Sequence, residues 1–408
     1  MKKTLIFFAF CLFSLQASAQ VVFPAGKLYV LHEGSSSQKG SLGFISYPSQ
    51  TYTHIDSVPA FGNDLIVDQT SASVYICTGD GSIRKYHAIT DTLVWTSNPI
   101  GARSAQVYQN NLVVACNLSP FVKVIKTQDG TINYTIGTNR IPNETESVAI
   151  LGSKAYISEN GVNGFGVNGV TDSTIAVVDL DSQQFVEDIL VAKNPNKIIT
   201  KGNSLWVQCL NYTAGMTISE VDLSSNLVTN RNSQIVSYGG FAANAGLLYF
   251  GMAGSTIGIG TYSFVNQSFN SSFSTANVYG MEFLTNDILL VTQTDFFSSG
   301  SVSVLNLTDG TISNTVQTHI SPRAMGFYST GTVSVDPDQN PVQWFVSESV
   351  LTIQSKDSGE ISIFSIEGKQ MKVFDVNAHE TQYFSLSELP SGIYFAKFKN
   401  EVLKFWKF

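Results

Sequence analysis

A repeat of β-strand segments along the middle of the chain constrains the fold more than any other sequence feature. Short β-branched and aromatic runs alternate with turns of Gly, Asn, Asp and Ser, and helical periodicity is nearly absent. The third run of a unit ends in a Val-Asp-Leu-like turn, as in Thr174–Leu180 and Met216–Leu223. The period of about 40–50 residues is that of a propeller blade. The units start near Gly62, Gly101, Glu146, Pro195, Tyr238, Tyr279 and Pro322.

The two ends of this repeat region complete each other. The unit at Pro322 has a single strand, Arg323–Tyr328, before the sequence changes character. The segments Lys27–Leu31, Gly40–Ile45 and Thr51–Ile55 read as the second, third and fourth strands of that same unit. One blade shared by both ends closes a ring and removes exposed sheet edges. The sequence therefore predicts an all-β fold, a seven-bladed β-propeller over residues 20–334.

The last part of the chain reads as a separate β-domain. A Pro-rich linker at residues 335–341 precedes it. The hairpin segment Glu360–Gln370 and the closing segment Leu389–Phe395 resemble the C-terminal sorting domain of the type IX secretion system of Bacteroidetes, although the usual opening tyrosine-proline pair is missing. The resemblance implies a small β-sandwich at 342–408 and the type IX secretion machinery as a partner. The alternative is a generic β-sandwich module.

The N-terminal segment also indicates that the protein is exported. Lys2 and Lys3 precede the apolar run Leu5–Leu15 and the small-residue cleavage site Ala17–Ala19, so residues 1–19 read as a signal peptide. The alternative, a membrane anchor, requires about 20 apolar residues, and no later segment reaches that length either. We expect export through the periplasm to the outer-membrane surface or the extracellular space.

Composition excludes some partners. The chain has 23 Lys and Arg against 31 Asp and Glu, and removal of Lys2 and Lys3 leaves 21 against 31, a net charge of about −10. An acidic chain without a basic cluster argues against nucleic acid and anionic membranes as partners. Cys77, Cys116 and Cys209 each lie inside an apolar run. They read as buried small hydrophobic residues, with one disulfide as the alternative.

Three segments of the propeller resemble the YncE-like surface proteins of Bacteroidetes. They are Leu28–Gly34 with Gly40–Leu42, Asn194–Ile198 with Leu205–Cys209, and Ile175–Leu180. One branch of that group captures corrinoids on the outer face of a TonB-dependent transporter. The resemblance thus implies a surface propeller and allows a corrinoid as its ligand, but these segments do not separate that branch from its relatives.

Candidate binding residues lie where propellers build their sites, around the central channel. They occupy the starts of inner strands and the loops between second and third strands, of which Glu159–Gly169 is the longest. Amide, aromatic and guanidinium groups suit a large polar ligand such as a corrinoid, a glycan or a protein loop. The alternative for each candidate residue is a position on the solvated rim or a hydrogen bond between blades. The candidates are Asp64, Arg103, Glu146, Phe165, Asn196, Tyr212, Tyr238, Tyr279, Phe296 and Arg323.

Sequence signals for catalysis are weak. The chain has no Gly-x-Ser-x-Gly, His-Glu-x-x-His or acidic calcium-binding motif, and no cofactor is predicted. The Gly-rich segment Gly164–Gly169 joins strands and opens no helix, which argues against a dinucleotide site. We expect a non-catalytic ligand-capture protein that serves a TonB-dependent outer-membrane transporter. The alternatives are a surface adhesion propeller and a metal-dependent lactonase or lyase that uses Asp64, Glu146, Asn196 and His319.

Overall fold

The computed structural model describes residues 23–161, 172–210, 215–253 and 257–330 of the N-terminal part. In the C-terminal part it describes residues 342–347, 350–355, 357–366, 368–378, 381–390, 392–399 and 401–407. The chain divides into two compact units, Met1–Thr330 and Gly331–Phe408. The signal peptide and the linker predicted at 335–341 lie outside the described residues, which contain strands and no helix that could cross a membrane.

The first unit is built from seven four-stranded antiparallel sheets, which confirms the predicted seven-bladed propeller. The chain starts with β1 (Gly26–His32), β2 (Gly40–Tyr47) and β3 (Thr51–Val58). Blade 1 then comprises β4 (Asp64–Asp68), β5 (Ser73–Cys77), β6 (Ile83–His87) and β7 (Thr92–Thr96). Blade 2 comprises β8 (Ala102–Tyr108), β9 (Asn111–Cys116), β10 (Val122–Lys126) and β11 (Ile132–Ile136).

Blades 3 to 6 repeat the same up-and-down order. Blade 3 comprises β12 (Thr145–Leu151), β13 (Lys154–Glu159), β14 (Thr174–Asp179) and β15 (Gln184–Leu190). Blade 4 comprises β16 (Pro195–Lys201), β17 (Ser204–Cys209), β18 (Thr217–Asp222) and β19 (Leu227–Asn232). Blade 5 comprises β20 (Ser237–Ala243), β21 (Leu247–Met252), β22 (Gly258–Ser263) and β23 (Ser268–Ser274). Blade 6 comprises β24 (Met281–Thr285), β25 (Ile288–Gln293), β26 (Ser299–Leu305) and β27 (Ile312–Ile320).

Blade 7 is shared by both ends of the repeat region, as predicted. Its inner strand is β28 (Pro322–Ser329), which pairs antiparallel with β1 from Gly26↔Ser329 to His32↔Pro322. The strand order is β28-β1-β2-β3, so the N-terminus supplies three strands and the end of the repeat supplies one. The observed inner strands begin within two residues of the predicted unit starts.

Hydrophobic packing between neighbouring blades holds the ring together. Seven apolar clusters form, and each joins side chains from two adjacent blades. Middle strands such as β5 are buried along their whole length, whereas outer strands such as β7 are largely exposed. This gradient explains why middle strands read as continuous apolar runs, because both of their faces pack on a neighbouring blade. The cysteines of these strands are free and buried, so the described residues contain no disulfide between them.

The recurrent aspartate of the repeat has a local role. The carboxylate of Asp179 accepts the backbone N–H and the hydroxyl of Ser182, and the carboxylate of Asp222 accepts those of Ser224. These bonds close the turn between the third and fourth strands. They hold the pKa of both aspartates below the ordinary value.

The second unit contains a three-stranded and a four-stranded sheet. The strands are β29 (Val342–Ser347), β30 (Val350–Ser355), β31 (Gly359–Ser365), β32 (Gln370–Val376), β33 (Thr381–Ser385), β34 (Gly392–Phe398) and β35 (Glu401–Lys407). Alternate residues such as Ile361, Ile363, Ala396 and Phe398 form its core. The predicted hairpin is β31–β32, and Gly368 in its turn has φ +80°, which glycine adopts at no steric cost.

Three histidines meet where blade 7 closes on blade 6. The rings of His54 and His319 stack with centroids 4.9 Å apart, and the ring of His32 lies 5.7 Å from His319. The Nδ1 of His32 faces the carbonyl oxygen of Ser41 at 3.3 Å and therefore carries the proton, while its Nε2 accepts the backbone N–H of His319 at 3.2 Å. Burial and the neighbouring His319 lower the pKa of His32 to about 3.

We predict that acid weakens the propeller through His32. The unfolded chain takes up a proton at this side chain near pH 6.5, whereas the folded chain does so only near pH 3. The stability that this difference contributes is complete above about pH 6.5 and is lost as the pH falls. Between about pH 7 and about pH 5 the contribution of His32 to the free energy of unfolding should fall by about 2 kcal/mol.

Denaturant unfolding at both pH values, in the mature protein and in His32→Gln, measures this contribution. The His32→Gln protein should lack that part of the pH dependence. His87→Gln, at the end of β6, is the matched control and should keep it. An identical pH dependence in all three proteins would contradict the prediction.

The division into two units generates a second prediction. Truncation near residue 335 should leave a folded propeller, because β28 already completes the seventh blade. The truncated protein should unfold in one cooperative transition in calorimetry, and it should not reach the cell surface in a surface-labelling experiment. Loss of cooperativity would show that the propeller needs the C-terminal unit.

Candidate functional site

The inner strands carry β-bulges near their starts, and these bulges supply much of the channel wall. In blade 2, Ala102 pairs with Cys116 and Ser104 pairs with Ala115, which leaves Arg103 unpaired. The same irregularity releases residues 146–147 of β12, 196–197 of β16, 238–240 of β20 and 323 of β28. An extra residue bends the strand and redirects its side chain. Five of the seven unit starts found in the sequence, those of blades 2, 3, 4, 5 and 7, therefore lie at or beside these bulges, whereas β4 and β24 have no bulge at the start.

The bulged residues surround a central cavity of about 690 Å³. That volume lies in the range of small-molecule sites, about 300–1,000 Å³. Six of the ten predicted site residues line it, namely Asp64, Arg103, Glu146, Asn196, Tyr279 and Arg323. The cavity therefore brings together residues that lie up to about 260 positions apart in the chain.

The other four predicted residues are distributed differently. Phe296 lines a neighbouring cleft of about 190 Å³ and packs edge-on against Tyr279, with ring centroids 5.0 Å apart. Because Tyr279 lines both cavities, Phe296 lies beside the channel site. Tyr238 belongs to the bulge of β20. Phe165 and Tyr212 lie outside the described residues.

Arg103 joins three blades. Its Nε and Nη2 donate to the two carboxylate oxygens of Glu146, each at 2.8 Å, and its Nη1 donates to Oδ1 of Asn63 at 2.8 Å. This paired geometry fixes both side chains. Asp64 is also engaged, because its Oδ2 accepts the hydroxyl of Ser104 at 2.7 Å. Arg103, Glu146 and Asp64 thus form hydrogen bonds between blades, which was the alternative to ligand contact for each of them.

A second network lies where blade 7 meets blade 6. Arg323 donates through Nη1 to Oε1 of Glu33, and the hydroxyl of Tyr279 donates to Oε2 of the same carboxylate at 2.9 Å. The guanidinium carbon of Arg323 lies 5.8 Å from the ring centroid of Tyr279. Glu33 is buried and follows β1 directly. Sequence reasoning missed it as a site residue, although it lies in the Leu28–Gly34 segment that carries a family resemblance.

Several polar side chains of the wall remain unengaged. Within the described part of the chain, the side chains of Asn196, Lys197 and Glu282 form no hydrogen bond or ion pair. Glu282 is exposed within the channel, and the surrounding blades reduce the hydration of its carboxyl group. This desolvation raises the pKa of Glu282 to about 7, with Lys197 opposing the rise and Asp64 adding to it.

Glu282 was not among the predicted residues. It is the second residue of β24 and lies between Met281 and Phe283, so it interrupts an otherwise apolar strand. That interruption is the sequence signal for Glu282, which lies inside a strand and not in a loop.

The histidine proposed for the metal-dependent alternative lies away from the other three proposed ligands. His319 stacks on His54 at the seam between blades 6 and 7 and does not line the cavity that contains Asp64, Glu146 and Asn196. Among the residues that the structure describes, no group of three or more His, Cys, Asp and Glu is placed to hold a metal ion. The channel can therefore offer hydrogen bonds and charge to a ligand through its own side chains.

Comparison with known proteins adds to this picture. Residues 346–407 match the family described as the secretion system C-terminal sorting domain. No curated protein matches the sequence of the chain. A proposed 6-phosphogluconolactonase of Bacteroides fragilis NCTC 9343 gives a TM-score of 0.54 at 13% identity and covers 74% of this chain and 98% of its own. The dihydro-heme d1 dehydrogenase NirN in complex with DHE gives 0.50 at 13% identity, with 76% of each chain covered.

At such identities the solved structures show the fold alone. The fold and the matched tail together define the class of protein, a β-propeller that carries a type IX secretion sorting domain. The sorting domain indicates export to the cell surface or the extracellular space.

The engagement of Arg103 generates a prediction about stability. In Glu146→Ala the guanidinium of Arg103 loses both carboxylate acceptors, so the free energy of unfolding should fall by about 2 kcal/mol. Fully buried pairs lose more, but these two side chains keep part of their exposure to the channel.

Denaturant unfolding of the mature protein measures this effect. Glu187→Ala is the matched control, because Glu187 lies on the outer strand β15 and accepts only an exposed hydrogen bond from Asn226. That control should change stability by less than about 0.5 kcal/mol. Equal losses in both variants would contradict the assigned role of Glu146.

Proposed function

We propose that the propeller is a non-catalytic ligand-binding protein that works outside the cell and binds its ligand at the central channel. The supporting observation is that some charged side chains of the channel wall are paired with each other, whereas other polar side chains of the wall are unpaired. Arg103 is held by Glu146 of blade 3 and Arg323 is held by Glu33 of its own blade 7, which makes the wall rigid. Asn196, Lys197 and Glu282 keep their polar groups available. A preformed cavity with a few available polar groups is the usual architecture of a ligand site.

The most concrete form of this proposal is capture of a corrinoid for a TonB-dependent outer-membrane transporter. Its support is the resemblance of three propeller segments to YncE-like surface proteins, together with the sorting domain. A corrinoid is larger than a drug-sized ligand, so it would lie across the mouth of the channel. The amide of Asn196 and the rings of Tyr279 and Phe296 would then contact its amide-rich edge.

A protein partner is the second candidate, and a specific observation favours it. The connections between fourth and first strands and between second and third strands lie on the side where the inner strands begin. In the part of the chain that the structure describes, these connections expose five large apolar side chains, Phe61, Leu118, Ile257, Phe296 and Phe297. Exposed aromatic residues around a polar cavity are a common feature of protein-binding surfaces. A pull-down that recovers one partner, unaffected by corrinoid, would favour this function.

We predict that the mature protein binds cyanocobalamin. Calorimetric titration should give a saturable signal with a Kd in the micromolar range or below. Phe296→Ala should weaken binding about tenfold, because a single aromatic contact contributes on this scale. Val265→Ala is the control, since Val265 lies in the turn between β22 and β23, on the opposite side of the propeller. Absence of heat at micromolar concentrations would exclude the corrinoid form of the proposal.

A further inference from the structure

The charges that line the channel are unequally paired. Three cationic side chains line the cavity in the described part of the chain, namely Arg103, Lys197 and Arg323. Arg103 donates to a carboxylate of blade 3, and Arg323 donates to a carboxylate of its own blade 7. Lys197 has no such acceptor among the described residues, although it is half-buried in the wall. An ammonium group has three donors, and in an enclosed site it favours an anionic acceptor.

The surroundings of Lys197 leave room for such an acceptor. Lys197 projects from the bulge of blade 4, and the equivalent bulge of blade 5 contains Gly239 and Gly240. A Cβ at Gly240 would lie 2.4 Å from Cγ of Met281, and Gly239 has φ +84°. Both positions therefore require glycine, and neither contributes a side chain to the cavity. Glu282 follows on blade 6, on the other side of this glycine pair.

We propose that the channel selects ligands with an oxyanion group, a carboxylate or a phosphate, which Lys197 binds, with the carboxyl group of Glu282 as a second contact to the same ligand. This inference rests on the proposed function, because it assigns the ligand class of the same channel. The charged groups that line the cavity with Glu282 are Asp64, Arg103, Glu146, Lys197 and Arg323. Since both arginines are held by carboxylates, Lys197 is the group that attracts the ligand.

Glu282 gives the site a pH dependence. Its pKa of about 7 means that the carboxyl group is mostly protonated at about pH 6 and mostly ionised at about pH 8. The protonated form donates a hydrogen bond, whereas the ionised form repels an anion. If only the protonated form binds, affinity falls about tenfold between these two pH values.

Calorimetric titration of the mature protein with inorganic phosphate and with glucuronate tests the inference, and glucose serves as the neutral counterpart of glucuronate. At about pH 6 both anions should bind with a Kd of about 1 mM or lower, and glucose should not. At about pH 8 the affinity for glucuronate, whose charge is the same at both pH values, should be about tenfold lower. Absence of anion binding at about pH 6 would overturn the inference.

Four variants identify the groups responsible. Lys197→Met should weaken anion binding at least about tenfold, whereas Lys197→Arg should retain it within about threefold because the charge remains. Lys201→Met is the matched control, since Lys201 lies at the far end of the same strand and does not line the cavity. Glu282→Gln should bind at about pH 8 as well as at about pH 6. Thermal unfolding verifies that each variant is folded.

Two results separate this inference from the proposed function. If cyanocobalamin binds and Lys197→Met leaves its affinity and that of the anions unchanged, the proposed function survives and the oxyanion site is excluded. If the anions bind through Lys197 and cyanocobalamin gives no heat, the corrinoid form is excluded and the oxyanion site stands. Binding of anions with equal affinity in Lys197→Met would overturn the inference in either case.

Discussion

The pairing of β1 with β28 is the contact on which the rest of the propeller depends. Each apolar cluster lies between two blades, so a blade buries its two faces only when neighbours exist on both sides. Without the β1–β28 ladder, blades 1 and 6 would each lose a partner and expose an apolar face. The seven registered pairs of this ladder join residues about 300 positions apart, so its formation carries the entropic cost of closing a very long loop. Burial along all seven interfaces offsets that cost.

The same closure brings two sets of polar groups together where β1 ends. Glu33 follows β1 and binds Arg323 of β28 and Tyr279 of the loop before β24. The preceding residue, His32, accepts the backbone N–H of His319 at the end of β27. A ring that closes by pairing strands from its two ends therefore builds part of its channel wall by the same step. Ring closure and formation of the channel wall are coupled through Glu33.

The architecture could be predicted from the sequence because the patterns that specify strands and blades lie in short, contiguous segments. Continuous apolar runs such as Val113–Cys116 define middle strands, and the period of about 40–50 residues defines blades. The positions of the site residues could also be predicted, because many of them lie at the starts of inner strands. Their hydrogen-bonding partners could not be predicted. Whether Arg103 faces a ligand or Glu146 depends on how two adjacent blades twist and pack, and no local pattern encodes that geometry. The strand periodicity likewise gives no measure of the desolvation that makes Glu282 distinctive.

The contrast between engaged and unengaged charges follows from the physics of an enclosed channel. A charge removed from bulk water must find a partner or shift its pKa. Arg103 and Arg323 have carboxylate partners, one from a neighbouring blade and one from the same blade, and Glu282 shows a raised pKa instead. Lys197 forms no ion pair among the described residues, although its charge acts on Glu282. If the proposed anion site exists, the anion would supply the acceptor that the wall itself does not offer to Lys197.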